Sequence, residues 1–311
     1  MTAVIEVRNL HKAYGSKIAV DDVSFAVEEG EIFGILGPNG AGKTTTVECI
    51  EGLRSHDRGT IRVLGLDPRR DRAELTQALG VQLQDGTLPD KIRVGEALDL
   101  YASFYRAPAD WRELLDMLGL TATVDTRYGK LSGGQKQRVS IALALVGNPK
   151  VAVLDELTTG LDPQARRDTW ELIADVRRRG VTIVLVTHFM EEAERLADRV
   201  ALIDAGRVVA LDTPLGLADR VRADQRIQFR PSAPLDDRLL LAVPSVTGVE
   251  RRGDLIVVTG RENLLNDVIS VLVAHGIVAE ALRVEQTSLE DAFVALTGSR
   301  TDSDVLIKEK R

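Results

Sequence analysis

The sequence predicts an α/β protein whose core is a doubly wound parallel sheet. Glu31–Leu36 is a compact apolar strand that leads directly into a glycine-rich loop, and Thr44–Leu53 has the pattern of the helix after it. Val151–Leu154 and Thr182–Val186 are apolar runs typical of strands that are covered on both faces. Between them, Gln164–Arg179 has helical periodicity. Strands that alternate with helices in this way favour a doubly wound core.

The remaining elements of the first two thirds of the chain fit around that core. Val4–Val7 and Val23–Val27 are predicted as short alternating strands. Val94–Tyr105 and Trp111–Leu118 are predicted helices. They form an insertion between two glycine motifs, a helical subdomain at about residues 87–148.

Length, charge and hydropathy limit the function classes. The 311 residues suffice for one domain of ordinary size and a small one. No apolar run approaches the ~18–20 residues that cross a bilayer, and the N-terminus lacks a signal-peptide core. A net charge of −7 argues against nucleic-acid partners, and we expect Arg166–Arg167 and Arg177–Arg179 to lie on a solvated helix face. The single cysteine, Cys49, is expected to be a buried, inert thiol in a reducing, cytosolic setting.

The first glycine motif predicts a site for a nucleoside triphosphate. It matches the pattern G-x-x-x-x-G-K-[ST] and consists of Gly37, Pro38, Asn39, Gly40, Ala41, Gly42, Lys43 and Thr44, with Thr45 next in the helix. Glycines let backbone N–H groups approach phosphates closely, and the helix adds its positive end. Lys43 can neutralise the β- and γ-phosphates, and the Thr44 hydroxyl can ligate Mg²⁺.

A pair of acids follows the next predicted core strand. Asp155 and Glu156 end the run that begins at Val151, so the strand delivers them to the edge of the sheet where ligands bind. Asp155 is placed to hold Mg²⁺, directly or through water. Because successive side chains at a strand end point in different directions, Glu156 can polarise the attacking water. The alternative for Glu156 is a surface carboxylate or a helix N-cap.

The second glycine motif predicts another anion site. Ser132 is a good N-cap for a helix over Gln135–Val146, and Gly133 and Gly134 expose N–H groups at its N-terminus. This site has no lysine of its own. A plain capped helix would explain these residues alone, but not their position about twenty residues before Asp155. One chain therefore carries two half-sites for a triphosphate.

Together these motifs resemble those of the ATP-binding-cassette (ABC) ATPases, whose signature reads LSGGQ, over residues 1 to about 220. The resemblance implies a P-loop NTPase ABC nucleotide-binding domain with a RecA-like core, an antiparallel β subdomain and a helical subdomain. It also implies a head-to-tail homodimer, or a heterodimer with a similar chain. In that dimer Ser132, Gly133, Gly134 and Gln135 close over the ATP held by the other chain's Lys43. Many members of the family have proline at the position of Leu157. This difference affects the stiffness of the backbone rather than the chemistry.

Further site residues are implied by the same resemblance. Tyr14 resembles the aromatic residue that stacks on adenine, although an ordinary turn tyrosine is the alternative. Gln84, preferred over Gln82 because an acidic residue follows it, resembles the glutamine that contacts Mg²⁺ and water. Asp162 belongs to the segment Thr159–Asp162, which resembles the D-loop. His188 resembles the switch histidine that contacts the γ-phosphate and orients the catalytic water, with Glu156 and Lys43 as its catalytic partners.

A second pattern begins after residue 220 and predicts a small α+β accessory domain at residues 221–298, before a polar tail at 299–311. Its order, βαββαβ with a closing helix, is compatible with a ferredoxin-like split βαβ module. The predicted elements are strand Arg226–Arg230, helix Asp236–Ala242, strands Thr247–Arg251 and Leu255–Thr259, helix Glu262–His275, strand Val278–Val284 and helix Ser288–Leu296. Dimer reinforcement and regulation are both open as its role.

Two segments resemble drug- and antibiotic-resistance exporters of the daunorubicin type. They are Asp155–Pro163 and Ser288–Phe293. The resemblance implies an ATPase subunit on the cytoplasmic face of the membrane, with a polytopic permease as a separate polypeptide that contacts residues 85–110. The alternatives are the ATPase of an importer and a soluble ABC ATPase that acts in DNA repair or on ribosomes. The absence of a second cassette, zinc cysteines and basic character disfavours the last.

Overall fold

The computed structural model describes residues 2–82, 88–220, 225–261, 263–285 and 288–297. The predicted tail at 299–311, the first residue of the helix predicted from Glu262, and Gln84 lie outside the described residues. Contacts divide the chain into two compact units, one extending to Pro214 and one beginning at Leu215. Within the described part of the chain, no helix has the length and apolar character needed to span a membrane.

The first unit holds two sheets. Its strands are β1 (Ala3–Tyr14), β2 (Lys17–Glu28), β3 (Ile32–Leu36), β4 (Arg58–Val63), β5 (Leu79–Gln82), β6 (Val151–Asp155), β7 (Thr182–Thr187), β8 (Arg199–Asp204) and β9 (Arg207–Asp212). A six-stranded sheet has the order β5-β6-β7-β3-β8-β9 and is parallel except for the pairing of β8 with β9. A three-stranded antiparallel sheet has the order β2-β1-β4. The predicted α/β class with a parallel core is confirmed.

Helices cover one face of the parallel sheet, and the antiparallel sheet covers the other together with the first two helices of the unit. The helices up to the end of this unit are α1 (Lys43–Ile50), α2 (Arg72–Leu75), α3 (Val94–Ala102), α4 (Trp111–Met117), α5 (Gly133–Leu145), α6 (Pro163–Arg178), α7 (Met190–Leu196) and, across its boundary, α8 (Pro214–Arg220). Buried side chains of α3, α4, α5 and α6 join Leu154 and Leu185 in one apolar cluster. On the opposite face, Phe25 of β2 stacks on Phe33 of β3 with ring centroids 5.2 Å apart. The strands β3, β6 and β7, in which every residue is buried, are therefore covered on both sides, as their largely apolar composition requires.

The second unit is an antiparallel sheet with helices between its strands. Its elements are β10 (Gln225–Pro231), α9 (Asp237–Leu241), β11 (Val246–Arg252), β12 (Leu255–Gly260), α10 (Leu264–Ala274), β13 (Ala279–Glu285) and α11 (Leu289–Thr297). The strand order β11-β12-β10-β13, with every pair antiparallel, is that of a split βαβ module. Ile227 and Phe229 of the central strand pack against Leu264, Val268 and Leu272 of α10.

Strand order places the sequence motifs side by side. β6, β7 and β3 are neighbours in the parallel sheet, so their carboxyl ends meet at one edge. Asp155 pairs with Val186, and Thr187 pairs with Leu36. The glycine loop, the acid pair and His188 each follow one of these three strands, which brings them to the same edge.

Candidate active site

The glycine loop between β3 and α1 has a conformation that demands glycine at two positions in particular. Gly37 and Gly42 have φ values of +154° and +101°. A Cβ atom on Gly37 would lie 2.0 Å from the carbonyl oxygen of Ile203, and one on Gly42 would lie 2.3 Å from that of Ala19. A side chain at either position would collide with the backbone, so both positions must be glycine. Its N–H groups can then approach a phosphate.

Lys43 begins α1 and is bound by the loop itself. Its Nζ donates hydrogen bonds to the carbonyl oxygens of Gly37 at 2.7 Å and Pro38 at 3.0 Å, and the residue is buried. Burial lowers the pKa of Lys43, although the charges of Glu156 and Asp155 act in the opposite direction. A γ-phosphate would offer this ammonium group a charged acceptor in place of two neutral carbonyls.

A cleft of about 320 Å³ lies over this loop. Its lining combines residues from the β1–β2 hairpin, the glycine loop, the start of α1 and the end of β6: Tyr14, Lys17, Ala19, Asn39, Gly40, Gly42, Lys43, Thr44, Thr45 and Glu156. Seven of the fifteen predicted nucleotide-binding residues thus share one cavity. Gly37, Pro38 and Ala41 complete the loop beneath it.

Two lining residues were not predicted from the sequence. Lys17 pairs with Tyr14 across the two-residue turn of the β1–β2 hairpin, and Ala19 follows on the same strand. An exposed cation and a small apolar residue beside an aromatic ring suit a phosphorylated, planar ligand. The signal available in the sequence was the Gly15–Ser16 turn, which would have extended both predicted strands to this point.

Tyr14 is about two-fifths exposed at the mouth of the cleft. The guanidinium carbon of Arg54 lies 5.3 Å from its ring centroid, and Nζ of Lys12 lies 5.4 Å away. Arg54 is in turn paired with Glu48 of α1, and Lys12 with Asp57 at 2.8 Å. These ion pairs hold two cations against the tyrosine ring, which is therefore supported before any base stacks on it.

Asp155 and Glu156 differ in environment although they are neighbours. Asp155 is buried, and its N–H donates to Oε1 of Gln82 at 3.1 Å. Burial raises the pKa of Asp155 to about 6; the charge of Glu156 adds to the rise and Lys43 opposes it. Glu156 has a left-handed backbone, with φ of +49°, which its N–H bond to the carbonyl oxygen of Val186 helps to hold. The chain therefore turns sharply between the two carboxylates.

This pair fits a magnesium ion that is bound mainly through its nucleotide. Among the described residues, no group of three or more His, Cys, Asp or Glu side chains could hold a metal. Mg²⁺ in phosphate sites usually keeps one or two protein oxygens besides phosphate and water. The Asp155 carboxylate and the exposed Thr44 hydroxyl are oxygens of that kind. Gln82, the rival of Gln84, is buried in β5 and already accepts a hydrogen bond from the Asp155 amide.

His188 follows β7 and faces Glu156. Its Nδ1 lies 3.3 Å from Oε1 of Glu156, and both side chains are partly buried. When Nδ1–H donates to the carboxylate, Nε2 is the ring nitrogen left for a ligand or water. The structure thus brings together Lys43, Glu156 and His188 at the edge formed by three adjacent strands.

The second glycine motif stands outside this cleft. Ser132 caps α5 in a capping box, in which its hydroxyl accepts from the N–H of Gln135 and the Gln135 side chain accepts from the N–H of Ser132. A Cβ atom on Gly133 would meet no atom within 4 Å, and one on Gly134 would meet only the Cβ of Ala165 at 3.7 Å. The chain's own packing therefore does not require either glycine. None of Ser132–Gln135 lines the cleft.

Asp162 is the N-cap of α6, where its carboxylate accepts from the N–H groups of Gln164 and Ala165 at 3.0 and 2.9 Å. Those N–H groups lower the pKa of the Asp162 carboxyl.

Two further residues singled out in the sequence are buried. Leu157 is fully buried in the main apolar cluster, the one formed by α3–α6 with Leu154 and Leu185. Cys49 is buried in α1, and burial raises the pKa of its thiol to about 11, consistent with the predicted inert thiol.

Known proteins share these features. Residues 20–159 match the family model described as ABC transporter. The chain is 34% identical to the linearmycin resistance ATP-binding protein LnrL of Bacillus subtilis over 308 residues, which is 95% of this chain and 98% of that protein. The protein belongs to the ABC transporter family of ATP-binding proteins. It is an ATPase, and the resemblance that the motifs predicted is confirmed.

Other relatives and solved structures agree. The chain is 35% identical to the daunorubicin resistance ATP-binding protein DrrA2 of Streptomyces coeruleorubidus, covering 94% of this chain and 95% of that protein. It is 40% identical to the Nod factor export ATP-binding protein I of Paraburkholderia xenovorans, covering 95% and 97%. The structure of an ATP-binding subunit of an ABC transporter superposes with a TM-score of 0.64 at 29% identity, covering 70% of this chain and 92% of that one. The dimeric structure of a bacterial ABC transporter cassette does so with 0.60 at 27%, covering 67% and 98%.

Proposed function

We propose that this ATPase is the energising subunit of an exporter for drugs or antibiotics. The observation that carries the proposal is the similarity to two resistance proteins along nearly the whole chain, second unit included. The Nod factor export protein extends the likeness to another exported compound. Residues 1–220 form the ATP-binding domain in this proposal, and residues 221–298 form an accessory domain.

The site residues take the following roles. ATP lies in the cleft with its adenine on Tyr14 and its phosphates in the loop Gly37–Thr44. Mg²⁺ is held by Thr44, Asp155 and Gln84, besides phosphate and water. Glu156 polarises the attacking water, and His188 contacts the γ-phosphate and orients that water. These roles require the ionised carboxylate of Glu156 beside the water, and its position in the cleft supports them.

The ATPase works as a head-to-tail dimer. The supporting observation is that Gly133 and Gly134 are open positions outside the chain's own cleft, so their bare N–H groups serve a ligand held elsewhere. In the dimer, Ser132–Gln135 of one chain closes over the γ-phosphate bound to Lys43 of the other. Hydrolysis removes that contact and reopens the pair, which drives a separate polytopic permease. The subunit then sits peripherally on the cytoplasmic face of the membrane.

Membrane association tests the proposal. The tagged full-length chain should sediment with membranes and co-purify in detergent with one polytopic protein, and should move to the soluble fraction when the gene for that protein is deleted. Glu156→Gln is the matched control, since it should stay on membranes while sensitising the cells to the exported drug. If the chain stays in the soluble fraction of unmodified cells, or if nucleic acid stimulates its turnover, the exporter proposal is excluded.

A further inference from the structure

His188 rests on an aromatic ring as well as facing Glu156. The ring centroids of His188 and Phe189 lie 4.1 Å apart with an interplanar angle of 38°. Side chains of successive residues in extended backbone point to opposite sides, so a contact this close shows that the chain does not continue as a regular strand past Thr187, the last residue of β7. Phe189 is the N-cap residue of α7, with φ of −86° and ψ of 111°.

The backbone at Phe189 is fixed from the strand side. The N–H of Phe189 donates to Oγ1 of Thr187 at 3.0 Å, and Thr187 is fully buried at the end of β7. On the helix side, Leu196 belongs to the main apolar cluster, and the indole N–H of Trp170 donates to Oε1 of the buried Glu192 at 3.1 Å. Helix α7 is thus held on α6 by contacts that do not involve Phe189.

A cation lies over the ring of Phe189. The guanidinium carbon of Arg166 is 4.7 Å from the centroid of the Phe189 ring. The Arg166 side chain is only about a quarter exposed, which overturns the expectation of a solvated face for this residue. Its Nε is buried without a hydrogen-bond partner among the described residues, and its Nη1 lies 3.9 Å from Glu191. Attraction to the ring therefore accounts for its position better than hydrogen bonding does.

Arg166 connects this ring to the start of α6. Its N–H donates to the carbonyl oxygen of Asp162 at 3.0 Å, within the first turn of that helix. The preceding residue, Ala165, is the neighbour that a Cβ atom on Gly134 would meet at 3.7 Å. One helical turn therefore lies next to the signature motif and also supports the ring beside His188.

We propose that Phe189 and Arg166 are positioning residues for His188: Arg166 holds the Phe189 ring, and the ring sets the orientation of the imidazole toward Glu156 and the γ-phosphate. The inference rests on the proposed function, in which His188 acts on bound ATP. In the proposed site neither residue contacts ATP, Mg²⁺ or the attacking water, so both are positioning residues and not catalytic ones. Their replacement should change the chemical step and leave ATP binding unchanged.

Steady-state turnover of the full-length chain with Mg-ATP tests this, together with ATP affinity from a fluorescent analogue and the Tm. Phe189→Ala should lower kcat about tenfold with KM, affinity and Tm nearly unchanged, because an ångström-scale misplacement of a catalytic group costs ~10–100-fold. Phe189→Tyr, which keeps the ring, should restore most of the rate, and Phe189→Leu should not. Arg166→Gln should lower kcat about threefold to fivefold.

The two side chains should act as one unit. The double variant Phe189→Ala/Arg166→Gln should be no slower than Phe189→Ala alone, because Arg166 has no ring left to hold. Arg167→Gln is the matched control. Arg167 is exposed and donates to Gln164 at 2.8 Å, so its loss should leave the rate unchanged.

Each negative result excludes either the positioning role or the proposed site. If His188→Ala abolishes turnover but Phe189→Ala and Arg166→Gln keep the wild-type kcat, the positioning role is wrong and the proposed site stands. Multiplicative losses in the double variant, or a parallel loss of ATP affinity, would also overturn it. If His188→Ala itself retains full turnover, the proposed site fails instead. Should Phe189→Ala not fold, Phe189→Leu in the same double-variant cycle decides.

Discussion

At the scale of single residues, the local backbone gives two adjacent carboxylates different environments. Asp155 ends β6 in a buried, hydrogen-bonded position, and Glu156 then adopts a φ of +49° and reaches the cleft beside His188. A left-handed conformation at a glutamate costs ~1–3 kcal/mol and persists only where the surroundings impose it. Here the bond from the Glu156 N–H to the carbonyl oxygen of Val186 helps to hold it. The turn separates the two carboxylates, as the proposed roles of metal ligand and general base require.

Glu156→Gln should separate ATP binding from hydrolysis. The amide keeps the size of the side chain and its contact to His188 but cannot accept a proton, so turnover should fall ~100-fold or more. ATP affinity should stay within about twofold, and an ATP-bound dimer should accumulate that size-exclusion chromatography detects. Glu171→Gln, on an exposed turn of α6, is the control. Steady-state hydrolysis at the wild-type rate would show that Glu156 is not the base.

At the scale of elements, the sequence predicts what local pattern determines. The strand–loop–helix unit around Lys43 and the Ser132 cap were predictable, because glycine spacing and capping chemistry are local. Strands β8 and β9 were not predicted. β8 is a short buried apolar run, which periodicity alone cannot assign to a strand, and β9 is a short run with only one buried residue and weak periodicity. The left-handed Glu156 and the contact of Arg166 with Phe189 depend on strands and helices distant in sequence. No local pattern contains that information.

Helix α1 ends in a carboxyl group whose charge should cost stability. Glu51 is its C-cap, where the helix dipole disfavours an anion. Burial raises the pKa of Glu51 to about 8, and the charges of Asp155 and Glu48 add to the rise. The folded state thus holds a proton that the unfolded chain, with an ordinary pKa of 4.5, releases first. Between pH 4.5 and about 8 the free energy of unfolding therefore falls as the pH rises.

Glu51→Gln should remove that dependence. The variant should match the wild type near pH 4.5, gain stability progressively above it, and reach a constant advantage of up to ~4 kcal/mol above pH 8. Thermal melts of both proteins from pH 4.5 to 9, without nucleotide or Mg²⁺, measure the difference. Glu29→Gln on an exposed turn is the control. A difference in Tm that stays constant with pH would show that Glu51 does not titrate as described.

At the scale of the whole molecule, the two glycine motifs have different physical origins. Gly37 and Gly42 are required by the chain itself, because backbone atoms occupy the space a side chain would need. Gly133 is not, since a Cβ atom there would meet nothing within 4 Å. A glycine that folding does not need, at an exposed helix N-terminus, indicates that something outside the chain must approach its backbone. In the proposed dimer, the group that approaches Gly133 is the γ-phosphate bound to the other chain.

Gly133→Ala should therefore leave the isolated chain as stable as the wild type or stabilise it by ~0.5–1 kcal/mol, because alanine is the better helix former. ATP affinity of the monomer should not change, but turnover and ATP-dependent dimerisation should be lost.

Lys43→Ala should be inactive for a different reason, since it cannot hold the phosphates. When the two inactive variants are mixed in equal amounts, only mixed dimers form. Each contains one intact composite site out of two, so turnover should recover to as much as about half of the wild-type rate. A mixture no faster than its separate components, or a fully active Gly133→Ala, would contradict the head-to-tail arrangement.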